Sequence, residues 1–128
     1  MPIELKLLVY SAILALVQMV VAAVFAQTQV GLPALAGNRE NMPELTGPAG
    51  RAQRAHRNML ESFAIFAAVV LVAQATGRLD AITALGAQIF FWSRLLYALV
   101  YVVGIPWLRT AVWAVSAAGI IMVLSQLL

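Results

Sequence analysis

The chain has 128 residues, of which 63% are hydrophobic and 10% are charged, with a net charge of +3 and a mean hydropathy of +0.94. Soluble domains contain about 25% charged residues, so this composition indicates a membrane protein and excludes a large soluble domain. Because a helix needs about 20 residues to cross a bilayer, the chain has room for one domain with roughly four or five spans. The sequence contains no cysteine, which excludes disulfides, thiolate metal sites and a cysteine nucleophile.

Long apolar runs predict one all-α domain, residues 1–128, with four membrane-spanning helices. We expect these helices at about 5–26, 53–76, 81–103 and 106–127. The first run is longer than the apolar part of a signal peptide, so it predicts a retained helix.

The connections between these helices predict their topology. A segment rich in Gly, Pro and Asn, about 27–52, predicts one long polar loop after the first helix. The later links, TGRLD and VGIPW, are short, so sequential helices should be antiparallel neighbours. The predicted fold is an up-down-up-down integral membrane four-helix bundle.

The distribution of basic residues predicts the orientation of the bundle. Five arginines lie on the side of the long loop, namely Arg39, Arg51, Arg54, Arg57 and Arg109. The opposite side has only Lys6 and Arg78. By the positive-inside rule, the long loop should be cytoplasmic and both termini should lie across the membrane. The small net charge does not indicate a nucleic-acid partner.

The second predicted helix carries a polar stripe at its start. An α-helix turns by about 100° per residue. On that geometry four polar residues share one sector of the helix surface, about 100° wide: Arg54, Arg57, Asn58 and Glu61. Arginines near a helix end commonly reach the lipid headgroups, and that alternative stays open here. It explains Glu61 less well, because an ionised carboxylate inside an apolar run costs several kcal/mol unless it is paired or hydrated. His56 projects about 100° away from Arg57, which favours a structural or interfacial role.

A second polar stripe lies on the third predicted helix. Arg94, Tyr97 and Tyr101 follow the i, i+3, i+7 pattern of one helix face. Paired tyrosines are often packing residues or interfacial anchors, but an arginine within a membrane run needs a counter-charge. Either Glu61 or an anionic ligand could supply it. We therefore predict that the two stripes face each other, within one chain or between subunits, around a pocket for a small zwitterion with several carboxylates.

Two segments resemble a known family, the membrane-associated proteins in eicosanoid and glutathione metabolism (MAPEG). The segment RAHRNMLE, residues 54–61, closely matches the family signature RAHxNxxE. The segment RLLYALVYVVGIPWLRT, residues 94–110, resembles the family's third helix and following turn. The four-span plan extends the resemblance over the whole chain. Departures from the family pattern, such as the lack of a basic residue between the first helix and Arg39, indicate a divergent, bacterial branch located in the inner membrane.

The resemblance also implies function and assembly. Members of this family form homotrimers that bind glutathione between adjacent subunits. They conjugate it to lipophilic electrophiles or use it to reduce or isomerise lipid peroxides. The lipophilic co-substrate would enter from the membrane lipids, and no metal is expected.

Family roles carry over to matching positions of this chain. Glutathione binding falls to Arg54, Arg57, Asn58, Glu61, Arg94, Tyr97, Tyr101 and Thr110. Arg109, after the turn, takes the position of an arginine that stabilises the glutathione thiolate. This role agrees with general chemistry, since a free thiol has a pKa of about 8.5 and a nearby guanidinium lowers it.

The sequence leaves two alternatives open. The chain could be an enzyme, either a glutathione transferase or a glutathione-dependent peroxidase, or it could be a noncatalytic lipid- or small-anion-binding protein of the same fold. After the first helix the family has basic residues that this chain lacks until Arg39. A small proton-coupled transporter is a further alternative. The charge pattern argues against it, because the middle of the first helix offers only Gln18 and the arginine stripe would repel cations.

Overall fold

The structure is a computed structural model that describes residues 1–40 and 42–128. Every regular element in these ranges is helical. The helices are α1 (Ile3–Val30), α2 (Leu32–Ala36), α3 (Gly47–Ala75), α4 (Ala81–Val103) and α5 (Pro106–Ser125). The four long helices are long and apolar enough to cross a membrane. The predicted all-α membrane bundle is confirmed.

Two helix boundaries near the long connection differ from the sequence prediction. Helix α1 continues to Val30, and α3 already begins at Gly47, six residues before the predicted start. The side chain of Gln29 accounts for both extensions, because its Oε1 accepts from Thr46 N at 2.9 Å and its Nε2 donates to Thr46 O at 3.0 Å. Pro48 is compatible with the first turn of α3, where the missing N–H leaves no helical bond unmade. The connection is therefore shorter than predicted and contains the small helix α2.

Helix α4 is held at both ends. At its start the Asp80 side chain accepts from Thr83 N at 2.9 Å, and the Thr83 hydroxyl accepts from Asp80 N at 2.7 Å, which forms a capping box. The same hydroxyl lies 2.7 Å from the buried carboxyl of Glu4, which ties α4 to α1. At its end Gly104 adopts φ 90°, a conformation that favours glycine, and turns the chain into α5.

Helices α4 and α5 form the most extensive helix pair, and two glycines allow their close approach. An added Cβ on Gly86 would lie 2.7 Å from Gly119 O, and one on Gly119 would lie 2.6 Å from Gly86 O. The backbones therefore pack directly on each other, as small residues permit in membrane helices.

The apolar core lies where α1, α3, α4 and α5 converge. Phe66 and Phe90 stack at its centre with their ring centroids 4.1 Å apart, and Met59, Val70 and Val123 are fully buried around them. Many large apolar side chains on the outer faces are exposed, which suits contact with lipid. The end of the bundle where α1 and α4 finish and α3 and α5 begin is called the loop end below.

Candidate polar site at the loop end of α3 and α4

The first turns of α3 are joined to the last turn of α4 by two arginines. Arg51 Nε donates to the carbonyl oxygen of Val102 at 3.1 Å. One turn further into the membrane, Arg54 Nε donates to the Tyr101 hydroxyl at 3.2 Å. Since Arg51 and Arg54 are three residues apart, they lie on one face of α3 and fix its rotation against α4.

The aromatic stripe predicted on α4 is buried and continuous. Tyr97 and Tyr101 lie with their ring centroids 5.5 Å apart, and both are largely hidden from solvent. They pack against Ala55 of α3 and Val112 of α5. Small and branched neighbours thus hold the two phenol rings between three helices.

Two further guanidinium groups stack on these rings. The guanidinium carbon of Arg94 lies 4.1 Å from the centre of the Tyr97 ring, and that of Arg109 lies 4.6 Å from the centre of the Tyr101 ring. Cations above aromatic faces are stabilised by the ring quadrupole, more so away from water. The polar cluster therefore consists of Arg54, Arg94, Tyr97, Tyr101 and Arg109.

Arg94 is the most unusual member of the polar cluster. It is the largest fully buried side chain, with 1% of its surface exposed. Its Nε, Nη1 and Nη2 all lack a hydrogen-bond partner in the described part of the chain. It lies nine residues before the end of α4, so about 14 Å along the axis from the loop end. A buried guanidinium without an anion is energetically unfavourable. Glu61, one of the two predicted sources of the counter-charge, is not bonded to Arg94 within this chain.

The other predicted site residues lie outside the polar cluster. Arg57 and Glu61 are exposed on the outer face of α3. Asn58 is half-buried, and its Oδ1 has no hydrogen-bond partner in the described ranges. Thr110 is also exposed, and its hydroxyl donates to Pro106 O at 3.2 Å, within its own helix. The structure thus brings together the α4 stripe, Arg54 and Arg109. It leaves Arg57 and Glu61 on an exposed surface, with Asn58 half-buried beside them.

Asn58 and Glu61 open onto a cavity between α3 and α5. The cavity has a volume of about 220 Å³. Its walls are otherwise largely apolar, with Ile65, Trp113 and Ile120 among the lining residues. A molecule in this cavity would place an apolar part against α5 and a polar part beside the Glu61 carboxylate.

Sequence reasoning did not predict the role of Arg51. Its position near a helix end favours contact with lipid headgroups, whereas its side chain bonds to the α4 backbone and packs beside Gly104. Gly104 and Pro106 of the VGIPW turn could have indicated this contact. They end α4, and the last carbonyl groups of a helix need hydrogen-bond donors from elsewhere. His56 lies apart from the polar cluster, in a cavity with Arg39 and Gln53 on the α1 side of α3.

Comparison with known proteins identifies the chain at the family level. No curated protein and no solved structure matches it. A sequence model of the MAPEG family matches residues 7–128, nearly the whole chain. The match covers α1 from Leu7 onward, all of α3, α4 and α5, and both segments that form the polar cluster, so the chain is an integral membrane protein that belongs to the MAPEG family.

Proposed function

We propose that the chain is a membrane-bound glutathione-dependent transferase or peroxidase acting on lipophilic electrophiles or lipid hydroperoxides, with the long loop facing the cytoplasm. The observation that carries this proposal is the buried Arg94 guanidinium, which has no bonded partner in the described ranges. An anionic ligand would supply the missing charge, and family membership makes glutathione the first candidate.

The chemistry of the residues fits that ligand. Glutathione has two carboxylates, one ammonium group and one thiol. Three guanidinium groups, those of Arg54, Arg94 and Arg109, surround the two tyrosines and suit the anionic groups. Glu61, exposed on the next turns of α3, suits the ammonium group. Asn58 Oδ1, a buried acceptor with no partner among the described residues, lies on the same stripe.

Arg109 is the residue to which we assign thiolate stabilisation. It lies in the first turn of α5, shortly after the Gly104 turn, where it stacks on Tyr101 while its side chain stays partly accessible. A fixed cation at this point would favour the ionised thiol, and hence the nucleophile, at neutral pH. The apolar cavity beside Trp113 would receive the lipophilic co-substrate from the bilayer.

The direct test is calorimetric titration of the purified, detergent-solubilised protein with glutathione, followed by turnover with a generic aryl halide. A glutathione analogue with a methyl group in place of the thiol is the matched ligand control. We expect both ligands to bind and only glutathione to be conjugated.

Two other outcomes would change the assignment. Binding without turnover of aryl halide or lipid hydroperoxide would favour a noncatalytic small-anion-binding protein. Arg39 supports this alternative, because it is the first basic residue after α1 and its side chain bonds to Leu35 O in its own segment. No binding of either ligand would contradict the proposed function.

A further inference from the structure

A cavity of about 180 Å³ lies between α1, the long connection and α3, on the α1 side of α3. Two polar lining residues, Gln53 and His56, belong to α3, and a third, Arg39, belongs to the connection. The other lining residues are apolar: Ala22, Ala23, Ala26, Leu35, Met42 and Leu45. The cavity therefore combines one cation and two hydrogen-bonding side chains with an apolar wall, and none of the three polar residues belongs to the proposed glutathione site.

The α3 part of this cavity lies at the depth where a bilayer changes from headgroups to hydrocarbon. Arg51 bonds to Val102, so that turn of α3 is level with the last turn of α4. Gln53 and His56 follow Arg51 by two and five residues, so they lie about 3 and 8 Å further into the membrane. The headgroup region of a bilayer is about 5–8 Å thick on each side. The two side chains therefore reach from the headgroup level to the first part of the hydrocarbon.

Arg39 is fixed by its own segment. Its Nε donates to Leu35 O at 2.8 Å, and Leu35 also lines the cavity. A guanidinium bonded through Nε still has two terminal amino groups with which to bind another acceptor. Among the described lining residues there is no acidic side chain, since Glu40, the next residue in the chain, lines a neighbouring cavity instead. The cavity thus has a positive group and no carboxylate to neutralise it.

We propose that this cavity binds the headgroup of an anionic phospholipid from the leaflet at the loop end. The phosphate lies against Arg39, because a guanidinium suits phosphate oxygens. The glycerol ester oxygens lie deeper and accept hydrogen bonds from Gln53 and His56. The first carbons of the acyl chains pack against the alanines of α1 and then continue over its exposed apolar surface.

The charge of the lining selects between classes of phospholipid. A zwitterionic headgroup carries an ammonium group, for which the described part of the lining offers no carboxylate. An anionic headgroup needs no such partner. The site lies on another side of α3 from the polar cluster and requires no glutathione, so it goes beyond the proposed function and can be tested separately.

The experiment measures phospholipid binding to the full-length protein in detergent by native mass spectrometry. The probes are phosphatidylglycerol and phosphatidylcholine with identical acyl chains. We expect the wild type to prefer phosphatidylglycerol about fivefold, the order of effect of one arginine near an anionic lipid. Arg39→Gln should remove this preference without changing the thermal midpoint, because the side chain is exposed. Arg78→Gln, at the opposite end of the bundle, is the matched control and should retain the preference.

A second variant and two competitors test the cavity and the source of the phosphate. Ala23→Phe, at the exposed edge of the cavity, should lower binding of both lipids several-fold. Inorganic phosphate and glutathione should not displace phosphatidylglycerol, because neither has an acyl chain. Equal binding of the two lipids by the wild type would overturn the proposal, as would an unchanged preference in Arg39→Gln or unchanged binding by Ala23→Phe.

Displacement by either competitor would also overturn the proposal. Displacement by inorganic phosphate would show a general anion site, and displacement by glutathione would place Arg39 in the tripeptide site. A protein that binds phosphatidylglycerol through Arg39 but binds no glutathione would contradict the proposed function and leave the lipid site standing.

Discussion

The guanidinium of Arg94 stacks 4.1 Å above the Tyr97 ring, yet none of its nitrogens is hydrogen-bonded in the described part of the chain. The ring offsets part of the cost of burying the charge, but it cannot replace hydrogen-bond acceptors. This pair therefore explains why the arginine can be buried before a ligand binds and why it should bind an anion tightly.

Replacing Arg94 by methionine separates stability from binding. Arg94→Met removes a buried charge while retaining most of the side-chain volume, so the thermal midpoint of the ligand-free protein should stay the same or rise. Glutathione affinity should fall at least tenfold, measured by calorimetry. Arg78→Met, at the opposite end of the bundle, is the control and should bind normally. Normal affinity in Arg94→Met would remove Arg94 from the binding site.

Glu61→Gln should weaken glutathione binding without affecting folding. The side chain is exposed on α3, so the isosteric change should alter stability by less than about 0.5 kcal/mol. Loss of the carboxylate would remove the partner proposed for the ligand's ammonium group, and we expect about a tenfold higher Kd. Glu44→Gln, in the connection before α3, is the matched control. Equal affinities in the two variants would show that Glu61 does not contact the tripeptide.

Gly119→Ala should destabilise the α4–α5 pair. The new Cβ would lie 2.6 Å from Gly86 O and 2.8 Å from Phe90 N, both backbone atoms that cannot move aside separately. Overpacking of this kind costs about 1–3 kcal/mol, more than the gain in helix propensity of about 1 kcal/mol. The thermal midpoint in detergent measures the effect. Ala118→Val, on the exposed face of the same helix, should change it little, and a stable Gly119→Ala would show that the helices can separate freely.

The chain should assemble as a homotrimer, as expected from the family resemblance. Arg57 and Glu61 are exposed on a helix long and apolar enough to span the membrane, and contact with a second subunit would shield them from lipid. Native mass spectrometry should detect three chains per particle. Arg57→Leu combined with Glu61→Leu should weaken this assembly if the stripe lies at the interface. A wild-type protein found only as monomers or dimers would contradict the prediction.

Local patterns predicted most of this fold because each element carries its own signal. Apolar runs predicted the four spans, and the spacing of Tyr97 and Tyr101 predicted their shared face. The start of α3 at Gly47 depends on hydrogen bonds between Gln29 and Thr46, which are 17 residues apart, so no local propensity could predict it.

The candidate site was predictable to a smaller extent. Helix periodicity grouped Arg54 with Arg57 and Glu61, but in the described part of the chain it is Arg54 that hydrogen-bonds to the α4 stripe. The others lie farther around or along α3, where the rotation fixed by Arg51 leaves them uncovered. Periodicity shows which residues share a face, whereas long-range contacts decide what that face meets.

The ultraviolet absorption of the thiolate tests the central claim most directly, because it reports binding and activation in one titration. Glutathione added to the wild type at neutral pH should produce the thiolate band. Arg109→Ala should bind glutathione with nearly unchanged affinity but lose most of the band, and turnover should fall tenfold or more. A wild type that binds glutathione without the band, or an Arg109→Ala variant that retains the full band, would contradict the assignment of Arg109 as the activating residue.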